Sequence, residues 1–454
     1  MAVASIPLSV FPPGPAPRRG LVDNAKYYRE MLRDSIAFVG TRFAQFGDAY
    51  YVPNRDAGLY VLRHPDHIRD VLITHAASYT KTHSGLERLS KVLGQGLLTS
   101  DGDVWKRHRR MIQPAFARQR LAEYATTMRD ETLRATRSWS VDSAVDVNRA
   151  MMELTLHVVS RTLFSHDVTN ATDDVSRAMT VLQDEVIGLL PEWVPSPGRF
   201  RMRRAIATLD RIVGGMVRDR RSLVASGGAA PSDLLQALVT AVDDEGDHAR
   251  LSESEVRDEL VTLFLAGHET TSQALTWAWY LLARNPNAER TLHAELDSVL
   301  AGRAPGYDDL PQLPYTEQVL KEAMRLFPPA YMLARRAQEA TQIGEWPVAR
   351  GSEVVMWIYH THRDARWFPE PEAFQPERFA PDAEAKLPKL AYVPFGAGAR
   401  ACIGKVFAMI EGQLLLATIA QRYRFELASR GTVRARPRVT LGPRDPLRMM
   451  LRAR

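Results

Sequence analysis

The chain has one cysteine in 454 residues, Cys402. It stands in the run Phe395-Gly396-Ala397-Gly398-Ala399-Arg400-Ala401-Cys402-Ile403-Gly404, and two chemistries fit parts of that run. Gly396, Gly398 and Ala401 match the dinucleotide-binding pattern G-x-G-x-x-A. Three features oppose this reading. Pro394 sits where a central strand needs an N–H, no acidic residue follows at the expected strand end about 20 positions on, and no alternating strand–helix series surrounds the motif. The second chemistry is that of a thiolate. A cysteine at the start of a helix meets unpaired N–H groups and the positive end of the dipole, and both favour the anion that binds iron. Gly398 and Gly404 carry no Cβ, so the backbone there can pass close to a flat macrocycle, and Arg400 supplies a fixed positive charge suited to a carboxylate. The bland alternative is a buried, inert thiol.

Other residues invite a chemical reading only once the elements that hold them are drawn. The longest helical pattern opens on Ser252-Glu253-Ser254-Glu255, a capping box, and runs to Asn285-Pro286, where proline ends it. At 1.5 Å per residue it would be roughly 50 Å long. In its middle stands Ala266-Gly267-His268-Glu269-Thr270-Thr271. Glycine inside a helix costs about 1 kcal/mol relative to alanine, and adjacent threonines are also poor helix formers. Weak helix formers at the centre of a long helix point to a functional distortion. The bland alternative is a hydrogen bond from Thr270 to the helix backbone that merely bends it. Trp105 and Arg109, in Trp105-Lys106-Arg107-His108-Arg109, are spaced i,i+4 and share one helix face. Glu322 and Arg325 are spaced i,i+3 on a helix that starts near Tyr315 and stops near Phe327, before Pro328-Pro329.

The remaining elements are minor. Tyr50-Tyr51-Val52 and Leu59-Tyr60-Val61-Leu62 flank the turn Asn54 to Gly58 as a hairpin. From Pro65 onward helical spacing dominates. Gly227 to Pro231 and Asp243 to Asp247 read as loops, Val354 to Ile358 as a strand, and Arg366 to Phe379, rich in Pro, Trp and Phe, as ordered irregular structure. A last helix is expected just after Cys402. The class is mainly α with a small β-rich region.

The pattern Phe395-x-x-Gly398-x-Arg400-x-Cys402-x-Gly404, continued by Ala408 and Glu411, resembles the heme-binding signature of the cytochromes P450, a family with cysteine-ligated heme. The other motifs fall in the order that family uses, over about residues 40 to 450, so the resemblance spans nearly the whole chain. It implies the cytochrome P450 fold, with a long central helix over heme b, in one catalytic domain covering 1–454 behind a proline-rich arm at 1–20. It implies that Cys402 is the axial ligand of the iron, with Phe395, Gly398, Gly404 and Ala266 around the heme. Trp105, Arg109, Arg335 and Arg400 would serve its propionates. Thr270 would hydrogen-bond iron-bound oxygen and Glu269 would help relay protons to it, while His268 would be structural. Arg378, in Phe374-Gln375-Pro376-Glu377-Arg378-Phe379, would join Glu322 and Arg325 in a structural triad. Leu98, Phe264, Ala266, Ala330, Tyr331 and Met332 would line the substrate pocket, and Val181 to Arg199 would form a mobile lid.

The implied reaction is insertion of one oxygen atom of O2 into a C–H bond of an apolar small molecule: a fatty acid, a terpene or a steroid. Two other readings keep the heme. A peroxide-driven or rearrangement enzyme would not need the Glu269-Thr270 pair, and a gas sensor or carrier would bind without turnover.

Composition limits the partners. A single cysteine excludes an intramolecular disulfide, a multi-thiolate zinc site and an iron–sulfur cluster, so electrons must come from outside. A ferredoxin or flavodoxin with its NAD(P)H-dependent reductase is expected. The net charge of +6 and pI of about 9.4 suit an acidic partner or a plain solvated surface. The basic residues are spread along the chain without an aromatic-interleaved block, which argues against nucleic acid. The N-terminal stretch, broken by Pro7, Pro12, Pro13, Pro15 and Pro17, is too short for a span of about 20 apolar residues and lacks the basic start of a signal peptide. The protein is therefore expected in the cytoplasm without a membrane anchor.

Overall fold

The computed structural model describes residues 10–17, 20–53, 57–185, 196–240, 250–428 and 431–454. Contacts within the chain group it into two units, each assembled from separate stretches.

The first unit comprises Met1–His83, Arg325–Ala373 and Ala383–Cys402. It holds a five-stranded sheet in the order Ala49–Val52, Leu59–Leu62, Glu353–Met356, Leu333–Ala337, Tyr79–Thr80, most of whose strands are rich in β-branched or aromatic residues. The hairpin expected from the sequence is present, with Ala49 opposite Leu62; residues 54–56 of its turn lie outside the described residues. Glu353–Met356 runs parallel to Leu59–Leu62 and antiparallel to Leu333–Ala337. Tyr60, Leu62, Ile68, Val354 and Met356 bury the sheet's inner face. The strand expected over Val354 to Ile358 stops at Met356. Trp357 still donates its N–H to Leu62 O, at 2.8 Å, but its carbonyl accepts from the backbone of His360 and Thr361, which turns the chain into the short helix Ile358–Thr361. Fully buried Arg325 anchors the irregular chain that follows. It donates to the carbonyls of His362, Pro371 and Ala373, at 2.9, 2.8 and 3.0 Å.

The second unit comprises Ser84–Met324, Phe374–Asp382 and Ile403–Arg454. It is built around the helix Glu253–Arg284, capped as the sequence requires: Ser252 accepts from Glu255 N–H while the Glu255 side chain accepts from Ser252 N–H. Its 32 residues span about 48 Å at 1.5 Å each, and most of its side chains are buried. Such a helix needs cover on several sides. Val147–Leu163, Pro197–Ala225 and Lys405–Ala420 supply part of it. A three-stranded sheet, ordered Ala144–Asp146, Arg448–Ala453, Tyr423–Leu427, and a hairpin of Ala435–Pro437 with Leu441–Pro443 complete the unit.

The helix expected from Tyr315 to Phe327 is Pro314–Leu326, and the expected loop at 227–231 separates Pro197–Ala225 from Leu234–Thr240. Asp243 to Asp247 lies outside the described residues, as does 186–195 of the expected lid. The flanks of that lid belong to the helices Thr172–Glu185 and Pro197–Ala225. Among the described residues no helix is long and apolar enough to cross a membrane.

Candidate active site

Cys402 is an exposed thiol in a loop fixed by its own backbone. Its N–H donates to Phe395 O at 2.9 Å, and Ala401 N–H donates to Gly398 O at 3.0 Å. Gly396 and Gly398 both hold φ of +68°, a left-handed conformation that favours glycine. A Cβ on Gly398 would also come within 2.2 Å of Leu72 O, so the close approach visible at this glycine is to the protein's own backbone. Gly404, at φ −87°, caps the helix Lys405–Ala420. That helix starts three residues beyond Cys402, so the thiol lies just ahead of its first turn. Cys402 is the one cysteine of the chain, and among the described residues no cluster of three His, Cys, Asp or Glu side chains could cage a bare metal ion. A pinned, exposed thiol fits the axial position of an iron already held by a macrocycle.

Three arginines named from the sequence are buried or half-buried. Arg335 lies in the strand Leu333–Ala337, is 8% exposed, and donates to Ala334 O at 2.8 Å. Half-buried Arg400 follows the two left-handed glycines. Trp105 and Arg109 are half-buried residues of the helix Gly102–Ile112. Sequence reading missed what fastens this helix. Buried His108 meets Glu259 at 2.6 Å and Glu255 at 3.3 Å on the long helix, and Arg107 pairs with Glu255. The signal was there in Glu255 and Glu259, spaced i,i+4.

The long helix carries one open stripe. Ala266 is exposed and Gly267 and Thr270 are half-buried, between buried neighbours on both sides. A Cβ on Gly267 would come 3.0 Å from Val159 Cγ2, so this glycine lets Val147–Leu163 pack close. No break in helical structure accompanies it. Thr270 donates to Ala266 O at 2.8 Å, Thr271 to Gly267 O at 3.3 Å and Ser272 to Glu269 O at 2.7 Å. Backbone bonding by Thr270, the bland alternative raised by the sequence, is thus present. Its oxygen keeps a lone pair for a further donor. His268 is buried and bonds Phe264 O at 2.6 Å, and burial pushes it down to about 4, which suits a neutral structural residue.

Glu269 is buried and turned to a different quarter. Thr440, in the hairpin turn before Leu441–Pro443, donates to its Oε1, and Gln183 supplies a second hydrogen bond. Burial raises its carboxyl to about 7, against lowering by Thr440, Gln183 and Arg438. A second buried carboxyl, Glu411, lies beside Thr271, and burial pushes it well above the ordinary carboxylate range. The sequence motif contained Glu411 but gave no reason for it.

Glu322 is fully buried; it accepts from Gln375 N–H at 2.9 Å and lies 3.5 Å from Arg378 Nε. Of the expected pocket residues, Leu98 and Ala330 are half-buried and Met332 is 39% exposed. Tyr331 is buried, with its ring 5.7 Å from Trp357. Phe264 packs against Phe164 and His268, and at 1% exposure the structure does not bring it onto the open stripe with Ala266.

The family model described as Cytochrome P450 matches residues 12–446. The chain is 39% identical to the protein named cyclooctatin synthase from Streptomyces melanosporofaciens, over 92% of each chain. It is 36% identical to cyclooctat-9-en-7-ol 5-monooxygenase of the same organism, over 83% of this chain and 82% of that one. It is 30% identical to pentalenene oxygenase from Streptomyces avermitilis, over 98% of each.

Proposed function

Because this chain belongs to the cytochrome P450 family, we propose that Cys402 is the axial thiolate of its heme and that Glu269 and Thr270 serve proton delivery. The family assignment makes the chain a heme b monooxygenase that uses O2, takes electrons from a redox partner and oxygenates an apolar small molecule. The heme, when bound, supplies dioxygen activation, helped by electron donation from its thiolate ligand.

The protein's own residues do the rest. Phe395 O and the left-handed glycines hold Cys402 in place. Arg335, Arg400, Arg109 and Trp105 would hold the propionates; a guanidinium matches a carboxylate in charge and shape. Ala266, with almost no side chain on the open stripe, would leave room for oxygen. Thr270 would donate or pass a proton there, and Leu98, Ala330, Tyr331 and Met332 would border the substrate. We assign no such role to Phe264. The family match extends across stretches of both units, which supports a single catalytic domain.

The finer reading of substrate and partner rests on relatives and charge. Relatives named for pentalenene and cyclooctat-9-en-7-ol favour a cyclic, terpene-type alkene or its alcohol over a fatty acid or steroid. An acidic ferredoxin or flavodoxin, served by its reductase in the cytoplasm, suits the net charge of +6. The exposed Cys402 thiol, the one cysteine of the chain, is the observation that carries the proposal.

The test pairs substrate and residue. Pentalenene should shift the resting heme spectrum and yield an oxygenated product with ferredoxin, reductase and NADPH. Thr270→Ala should keep that spectral shift while product per NADPH falls about tenfold or more, the remainder appearing as peroxide. Unaltered coupling in Thr270→Ala would remove Thr270 from the proton relay.

A further inference from the structure

The carboxyl of Glu269 is buried behind side chains that line a solvent groove. Both side chains that hydrogen-bond it, Thr440 and Gln183, line an open groove of about 520 Å³ together with Asn148, Gln273 and Arg438. All of these residues belong to the unit that contains the long helix. Arg438 is held over this place by Asp184, at 3.1 Å, and Asp184 also meets Arg436 at 3.4 Å. Gln273 Oε1 is buried with no protein hydrogen-bond partner, an acceptor placed for a water in the groove.

We infer that Glu269 takes up its protons from this groove, and that Thr440 and Gln183 are positioning residues that hold its carboxyl there between turnovers. The inference rests on the proposed relay role of Glu269. Monooxygenation consumes two electrons, from the external reductant, and two protons. The protonated carboxyl releases a proton toward Thr270 and the carboxylate takes one back from hydronium in the groove, so Glu269 is unchanged over the cycle. A carboxyl that titrates near the working pH does this best.

The charges around Glu269 define the sign of the test. The helix Thr172–Glu185 contributes Gln183 and Asp184, with Asp173 and Arg177 also lining the groove, and the hairpin turn contributes Thr440, Arg438 and Arg436. From Val147–Leu163, Arg149 lines the groove but is committed to Glu153 at 2.7 Å. From Lys405–Ala420, Glu411 lies at Thr271. Arg438 is the charge that acts on Glu269 directly, and with Thr440 and Gln183 it favours the carboxylate against burial. Removing either hydrogen bond therefore raises the pH at which Glu269 ionises.

Two measurements on the heme-loaded protein test this. Infrared titration of the buried carboxyl C=O band, assigned by its loss in Glu269→Gln, reads the group itself. The pH profile of oxygen consumption driven by NADPH, ferredoxin and reductase reads proton supply. Thr440→Val and Gln183→Leu should each move both midpoints upward by about half a pH unit or more, and Thr440→Ser should restore them. A profile in Thr440→Val and Gln183→Leu that superimposes on wild type, while Glu269→Gln alters it, would overturn the groove route, even if the infrared band moves. A wild-type profile in Glu269→Gln would instead defeat the relay role beneath it. Two variants on separate elements keep the test decisive should one of them fail to fold.

Discussion

Glu269 illustrates how far a side chain's chemistry is set by neighbours distant in sequence. A carboxyl beside a threonine in mid-helix was legible as an acid–alcohol pair. Its partners were not, since Thr440 and Gln183 lie far along the chain and neither belongs to a motif. A consequence for stability follows. Burial raises this carboxyl from 4.5 to about 7, so the folded protein keeps a proton that the unfolded chain has lost. Folding is then favoured at low pH, and that advantage disappears as pH rises from about 4.5 to about 7. The loss is on the order of 3 kcal/mol. Glu269→Gln stays neutral throughout, so its melting temperature should fall less than wild type between pH 5 and pH 8. Equal falls in the two proteins would mean that Glu269 does not titrate in this range. The same lesson holds at Gly398: a glycine near the cysteine was evident, but its contact with Leu72 O depends on a segment over 300 positions earlier.

At the scale of elements, strong local signals survived folding. The capping box set the start of the long helix and Pro286 its end, because cap and breaker act on adjacent backbone whatever the surroundings. Strand ends were less legible. Val354 to Ile358 is uniformly apolar, but Trp357 turns the chain, and a turn without glycine or proline leaves little trace in composition. The irregular stretch 366–379 was recognised as ordered, and its anchors explain why. Glu322 accepts from the Gln375 N–H and sits beside Arg378, while Arg325 donates to the carbonyls of Pro371 and Ala373. Glu322→Ala removes a fully buried carboxylate and leaves Arg378 and the Gln375 N–H without it. The cost should be about 3 kcal/mol, read as a lower urea midpoint with release of heme. A midpoint within about 0.5 kcal/mol of wild type would show that the segment is held by other contacts. Phe264 lies two positions from exposed Ala266, and two positions on a helix reverse the face, so it serves the core.

For the whole molecule, the ordered set of motifs outweighed any single one. A thiol after two glycines, a weak centre in a long helix and scattered arginines are each commonplace. Together they marked the family, and the match over residues 12–446 agrees. The proposed chemistry of the whole molecule depends on one bond, from Cys402 to the heme iron. Its most direct test is the carbon monoxide difference spectrum of the freshly purified, reduced protein beside that of Cys402→Ser. Wild type should give the strongly red-shifted main band of a thiolate-ligated heme, and Cys402→Ser should lose that band while keeping its helical content by circular dichroism. A wild-type band at the position of a histidine-ligated heme, or a red-shifted band that persists in Cys402→Ser, would contradict the account.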